Sequence, residues 1–129
     1  MILTFKRIAR ALAVIGMAIP AAAAVAQATI EYKTVAEARR AVPLLPGAKV
    51  SEQMGWFIVE DGANKSIWSF APSNHEANPA VVRRVVNQTP AGVDLSTAIL
   101  CEASKPACDR LYASFLQLNE EMKRQMRSR

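Results

Sequence analysis

Between Val93 and Met126 the apolar pattern changes period once, from two to about 3.6, and this change limits the fold more tightly than any other feature of the chain. Val93, Leu95, Thr97, Ile99 and Cys101 recur at every second residue. That spacing puts them on one face of a strand, with Asp94, Ser96 and Glu102 on the other. Leu111, Phe115, Leu118, Met122 and Met126 then recur at spacings of 4, 3, 4 and 4, forming one stripe of an α-helix. A strand and a helix with one apolar face each bury those faces together, so the stripe is expected to pack on the sheet. Ser104 is placed to cap the helix, Pro106 is tolerated in its first turn, and Asp109 sits near its positive end. Glu120 precedes Arg124 by four residues, and Lys123, Arg124, Arg127 and Arg129 crowd the C-terminal end, where cations suit the helix dipole.

Upstream of this junction the chain reads as short strands and turns. Thr34–Ala41 opens with an N-cap threonine and has Glu37 three residues on, a capping box before a short helix that Pro43, Pro46 and Gly47 end. Strands are expected over 49–53, 56–60 and 66–70, with a reversal at Met54-Gly55 and a positive-φ turn at Asp61-Gly62. A polar loop runs from Pro72 to Pro79. Residues 80–87 are ambiguous, because Asn78-Pro79 suits a helix start while Val81, Val82, Val85 and Val86 favour a strand; a strand is expected. Thr89-Pro90-Ala91-Gly92 is a turn into the final strand. The sum is an α+β fold: a short N-terminal helix, an antiparallel sheet of about five strands, and a long C-terminal amphipathic helix on one sheet face.

The first 28 residues stand apart, with Lys6, Arg7 and Arg10 but none of the 11 Asp and Glu. A basic start, an apolar run from Ala11 to Ile19, Pro20 and a small-residue end at Ala26-Gln27-Ala28 are the layout of a secretory signal peptide. Cleavage is expected near Ala28, leaving 29–129 as a single small domain in the periplasm, or secreted. The competing reading is an uncleaved membrane anchor, which the short, alanine-rich, proline-interrupted stretch disfavours. Without the leader, 13 Lys and Arg face 11 Asp and Glu, and the formal charge falls from +5 to +2.

Cys101 and Cys108 have six residues between them. An oxidising compartment lets them pair. Redox-active dithiols usually have two intervening residues, so a structural staple is the expected role and a thiol-disulfide redox protein the alternative. Zinc is disfavoured because His75 is the only further soft ligand in the domain.

His75 has Glu76 beside it, with Glu60 and Asp61 further back, but adjacency in sequence supplies neither an orienting partner nor a nucleophile. No phosphate-binding glycine loop, nucleophile elbow, His-Glu-x-x-His or calcium loop occurs. Catalysis is therefore not expected, no catalytic residue, metal or cofactor is assigned, and a net charge of +2 argues against nucleic acid. The candidate binding surface is Asn74, His75, Arg83 and Arg84, with the Pro72–Pro79 loop and the exposed face of the sheet. Trp56, Trp68 and Phe70 read as core more readily than as a ligand platform. A third reading, an envelope-surface protein, uses Arg124, Arg127 and Arg129 for at most peripheral contact with anionic head groups.

Gly55-Trp56, Ile58-Val59-Glu60-Asp61, Ile67-Trp68-Ser69-Phe70, Leu100-Cys101-Glu102-Ala103 and Ala107-Cys108-Asp109 together resemble segments of a group of small exported bacterial proteins of unknown function. The resemblance spans about Tyr32 to Met126. It implies a signal-bearing, disulfide-containing domain and supplies no catalytic residue. The resulting expectation is a small non-catalytic binding or interaction protein whose partner is a protein or small ligand of the cell envelope.

Overall fold

The computed structural model describes Gly16 and residues 27–128. The expected leader lies outside the described residues except for Gly16, Gln27 and Ala28. Helix α1 (Val35–Ala41) runs into a 3-10 turn at Val42–Leu44, and is followed by strands β1 (Lys49–Gln53), β2 (Trp56–Asp61), β3 (Ser66–Phe70), β4 (Ala80–Thr89) and β5 (Gly92–Cys101). Helix α2 (Lys105–Arg127) closes the chain. The strands lie side by side in chain order and every neighbouring pair is antiparallel. This is the α+β arrangement expected, and residues 80–87 are strand.

Local chemistry accounts for most of the boundaries. Thr34 Oγ1 accepts from the Glu37 N–H at 3.1 Å, capping α1. The Glu37 carboxylate reaches back to the Lys33 N–H, one residue beyond the usual capping-box partner. At the β1–β2 turn, Met54 and Gly55 both have positive φ, 52° and 83°, the pattern of a tight two-residue hairpin. The Asp61-Gly62 expectation needs correction. Asp61 still pairs with Ser66 across the ladder, so the connection is four residues long, a 3-10 turn at Gly62–Asn64 in which Lys65 takes the positive φ. Longer hairpin loops are built around right-handed turn residues, which removes the demand on glycine.

Alternation sorts the sheet into two faces. Phe57, Phe70, Val81 and Leu100 form one row, with Val59, Trp68, Arg83 and Ala98 beside it. Ile58, Ser69, Val82 and Ile99 point the other way, as do Ile67, Arg84 and Thr97. On the first face Val35, Ala38 and Val42 join Val59, Trp68, Phe70 and Val81, with Ile30 and Tyr32 packed against them. The second face buries Val82 and Ala80 against Ala107, Leu111 and Phe115 of α2. Both faces thus carry a packed core cluster, one under α1 and the other under α2, although alternation in β5 alone suggests one. The reason is visible in β2 and β4, where adjacent apolar residues such as Val81 and Val82 require apolar surroundings on both sides.

Cys101 and Cys108 form a disulfide with Cα atoms 5.8 Å apart, stapling the end of β5 to the first turns of α2. Ser104 caps that helix through the Ala107 N–H. The buried line of α2 is Ala107, Leu111, Phe115 and Asn119, not the full stripe read from the sequence. Leu118 and Met126 are exposed. Contacts from α2 fall mainly on β5, and so narrow a seam takes one residue per four, leaving Leu118 about 100° round the helix from Asn119. Asn119 Nδ2 donates to Thr97 Oγ1 at 2.8 Å, which gives this buried amide a partner. Further along, Lys123 reaches both Asp94, at 3.2 Å, and Glu120, at 3.0 Å. Arg124 pairs with Glu121 in place of the expected Glu120.

Candidate functional site

A single helix cannot cover this sheet. Five strands spaced about 4.8 Å apart are roughly 19 Å wide, while a helix is about 10 Å across. Because α2 sits over β5, the same face of β1–β3 is left partly open. A groove of about 560 Å³ forms there, with Met54, Trp56, Ile58 and Ser69 on the sheet side, Phe115 and Leu118 on the helix side, and Arg84 contributing to its lining. Its volume falls within the roughly 300–1,000 Å³ of small-molecule sites.

Trp56 organises one end. Its ring meets Phe115 edge-on at 5.6 Å and His75 edge-on at 5.3 Å. The loop carrying His75 is anchored twice. His75 Nδ1 accepts from the Ala77 N–H at 3.0 Å, and Glu76 receives a bidentate pair from Arg110 of α2 at 2.8 and 2.9 Å. The hydrogen bond from Arg110 holds the Glu76 carboxyl below its ordinary range. Asn74 is exposed on the same loop.

Arg84 is only 6% exposed. Its guanidinium carbon lies 5.1 Å from the centre of the Phe115 ring, and Nη1 donates to the Met122 thioether at 3.1 Å. Nε is buried and has no acceptor, and no carboxylate pairs with this cation among the described residues. Burial pushes its pKa below the ordinary arginine range.

Arg83 points the opposite way. It donates to Ser66 Oγ and to the Thr29 carbonyl, and its guanidinium carbon lies 5.1 Å from the centre of the Trp68 ring. A cavity of about 450 Å³ on that face brings it together with Glu31, Tyr32, Asp61 and Trp68. Asp61 Oδ2 accepts from Asn64 at 2.8 Å, whereas Asp61 Oδ1 and Trp68 Nε1 are buried without partners.

The four residues singled out in the sequence therefore do not form one surface. His75 borders the groove through Trp56, Arg84 lines it, Asn74 stands clear on the loop, and Arg83 is across the sheet. Consecutive strand residues face opposite ways, so Arg83 and Arg84 are separated by the sheet itself. Sequence reasoning did not assign Trp56, Ile58, Phe115 or Leu118 to a site. The available signal was parity: Trp56 and Ile58 alternate with Phe57 and Val59, which marks β2 as apolar on both sides.

Among the described residues no helix is long and apolar enough to cross a membrane, and no three His, Cys, Asp or Glu side chains are arranged to hold a metal ion. No protein-family model, curated protein or solved structure matches the chain.

Proposed function

We propose that this chain is an exported, non-catalytic binding protein of the bacterial cell envelope that takes a small, largely apolar ligand into the groove beside α2. The observation that carries the reading is the groove itself: Trp56, Ile58, Phe115 and Leu118 form a concave, mostly apolar lining next to a disulfide-anchored helix. Concave apolar surfaces with a few convergent polar groups are the usual form of small-ligand sites. The loop's titratable groups support binding over catalysis, since His75 Nδ1 and the Glu76 carboxylate are engaged in holding the loop. Export accords with the signal-like first 28 residues, and an oxidising compartment accords with the disulfide.

The test is titration of the purified domain with the uncharged fluorophore N-phenyl-1-naphthylamine. Saturable 1:1 binding is expected, and Leu118→Glu should abolish it, because Leu118 is exposed on the groove wall and tolerates a charge without unfolding. Absence of saturable binding, or binding untouched by Leu118→Glu, rejects the groove. Export is tested separately by fractionating the native host and measuring the intact mass of the periplasmic form, with cleavage after Ala28 as the proposed result.

A further inference from the structure

Arg84 is the anomaly of this fold. Arginine is seldom buried unless a carboxylate or other acceptor set accompanies it, because removing its charge from water is costly. Here the side chain is 94% buried, since its exposure is 6%. Its surroundings supply an aromatic face and a thioether, and Nε has no acceptor. The acids at the far end of the β5–α2 seam are paired with other cations: Asp94 and Glu120 with Lys123, and Glu121 with Arg124. Glu60 stands in the same cross-strand row, separated from Arg84 by Ile67 and exposed. The groove's lining contains this one cation and no acid.

We infer that the groove binds an amphipathic monocarboxylate, with its head group on the Arg84 guanidinium and its apolar body along Trp56, Ile58 and Leu118. This rests on the groove reading above and adds the ligand's charge and class to it. A guanidinium presents its donors in a planar fork that matches a carboxylate, and in a water-poor site such a charge-assisted pair is stronger than a neutral hydrogen bond. One cation without a second lysine or arginine matches a single negative charge; a dianionic phosphate would leave charge uncompensated. The Phe115 ring beneath the guanidinium and the Met122 sulfur beside it hold the fork in place without neutralising it.

The experiment is calorimetric titration of the full domain, below micelle formation, with dodecanoate, dodecanol, dodecyltrimethylammonium and dodecyl phosphate, repeated on Arg84→Gln and Arg84→Lys. Dodecanoate is expected to bind about tenfold or more tightly than dodecanol. That preference should vanish in Arg84→Gln and partly survive in Arg84→Lys, which keeps the charge but not the fork. Equal binding of dodecanoate and dodecanol would overturn the carboxylate assignment while leaving the apolar groove intact. A preference for the ammonium or the phosphate would overturn it too. Failure of all four, together with failure of the uncharged fluorophore, would remove the groove reading and the inference with it. If Arg84→Gln does not fold, the head-group comparison on the unsubstituted protein still decides.

Discussion

The Arg84 guanidinium lies 5.1 Å from the centre of the Phe115 ring, one on β4 and the other on α2, in the interface that joins helix to sheet. A charge at this position weakens the interface that contains it. Buried ion pairs are often neutral or unfavourable compared with apolar replacements, and an unpaired cation is less favourable still. The cation–π contact returns about 0.5–2 kcal/mol, less than the desolvation it accompanies. A residue whose burial is unfavourable and that lines an open groove has the signature of a functional group.

Replacing Arg84 by methionine should therefore leave the domain as stable as before or up to about 2 kcal/mol more stable, while abolishing carboxylate binding. Urea denaturation read by circular dichroism checks this. A loss of more than about 1 kcal/mol would mean that Arg84 supports the fold.

The disulfide should contribute about 2.5 kcal/mol, the chain-entropy value for closing an eight-residue loop. Comparing the oxidised domain with a Cys101→Ser, Cys108→Ser double variant measures it. Six intervening residues also favour a structural bridge, with a reduction potential expected below about −300 mV. A value near −120 to −200 mV would favour thiol-disulfide exchange chemistry at this pair.

Asn119 carries the buried line of α2 onward by donating to Thr97, and its Oδ1 is buried without a partner. Asn119→Ala should cost about 1 kcal/mol, whereas Asn119→Leu combined with Thr97→Val, which removes both polar groups, should recover most of that loss. A double-mutant cycle with no coupling between the two positions would contradict the pairing.

Glu76 gives the fold an acid-sensitive latch. Its carboxyl is held below its ordinary value by Arg110, so its contribution is present above the unfolded-state value and is lost as pH falls through the folded one. Because the pair is exposed, the effect should be local and should weaken with salt. Amide protection factors across residues 73–78, taken relative to the intrinsic exchange rate at each pH, should fall on acidification, and Glu76→Gln should show the lower protection already at neutral pH. Equal pH dependence in both proteins would count against the latch.

Much of the architecture is legible because the relevant information is local. The period change at the β5–α2 junction, the Thr34 and Ser104 caps and the Met54-Gly55 reversal each depend on neighbours within a few residues. The exchange of Leu118 for Asn119 on the buried side of α2 depends on how much of the sheet the helix spans, which a stripe of apolar residues does not specify. The separation of Arg83 from Arg84 follows from strand parity. The isolation of Arg84 does not, since it depends on where Asp94, Glu120 and Glu121 find their partners in three dimensions.

The two tryptophans provide the most direct test, because Trp56 lines the groove and Trp68 lies on the opposite face of the sheet. In an isotope-labelled domain titrated with dodecanoate, the Arg84 Nε–H and Trp56 indole resonances should shift together and saturate while the Trp68 indole stays in place. Saturation that moves Trp68 and leaves Arg84 and Trp56 unchanged, or no shift at any of the three, would contradict the account.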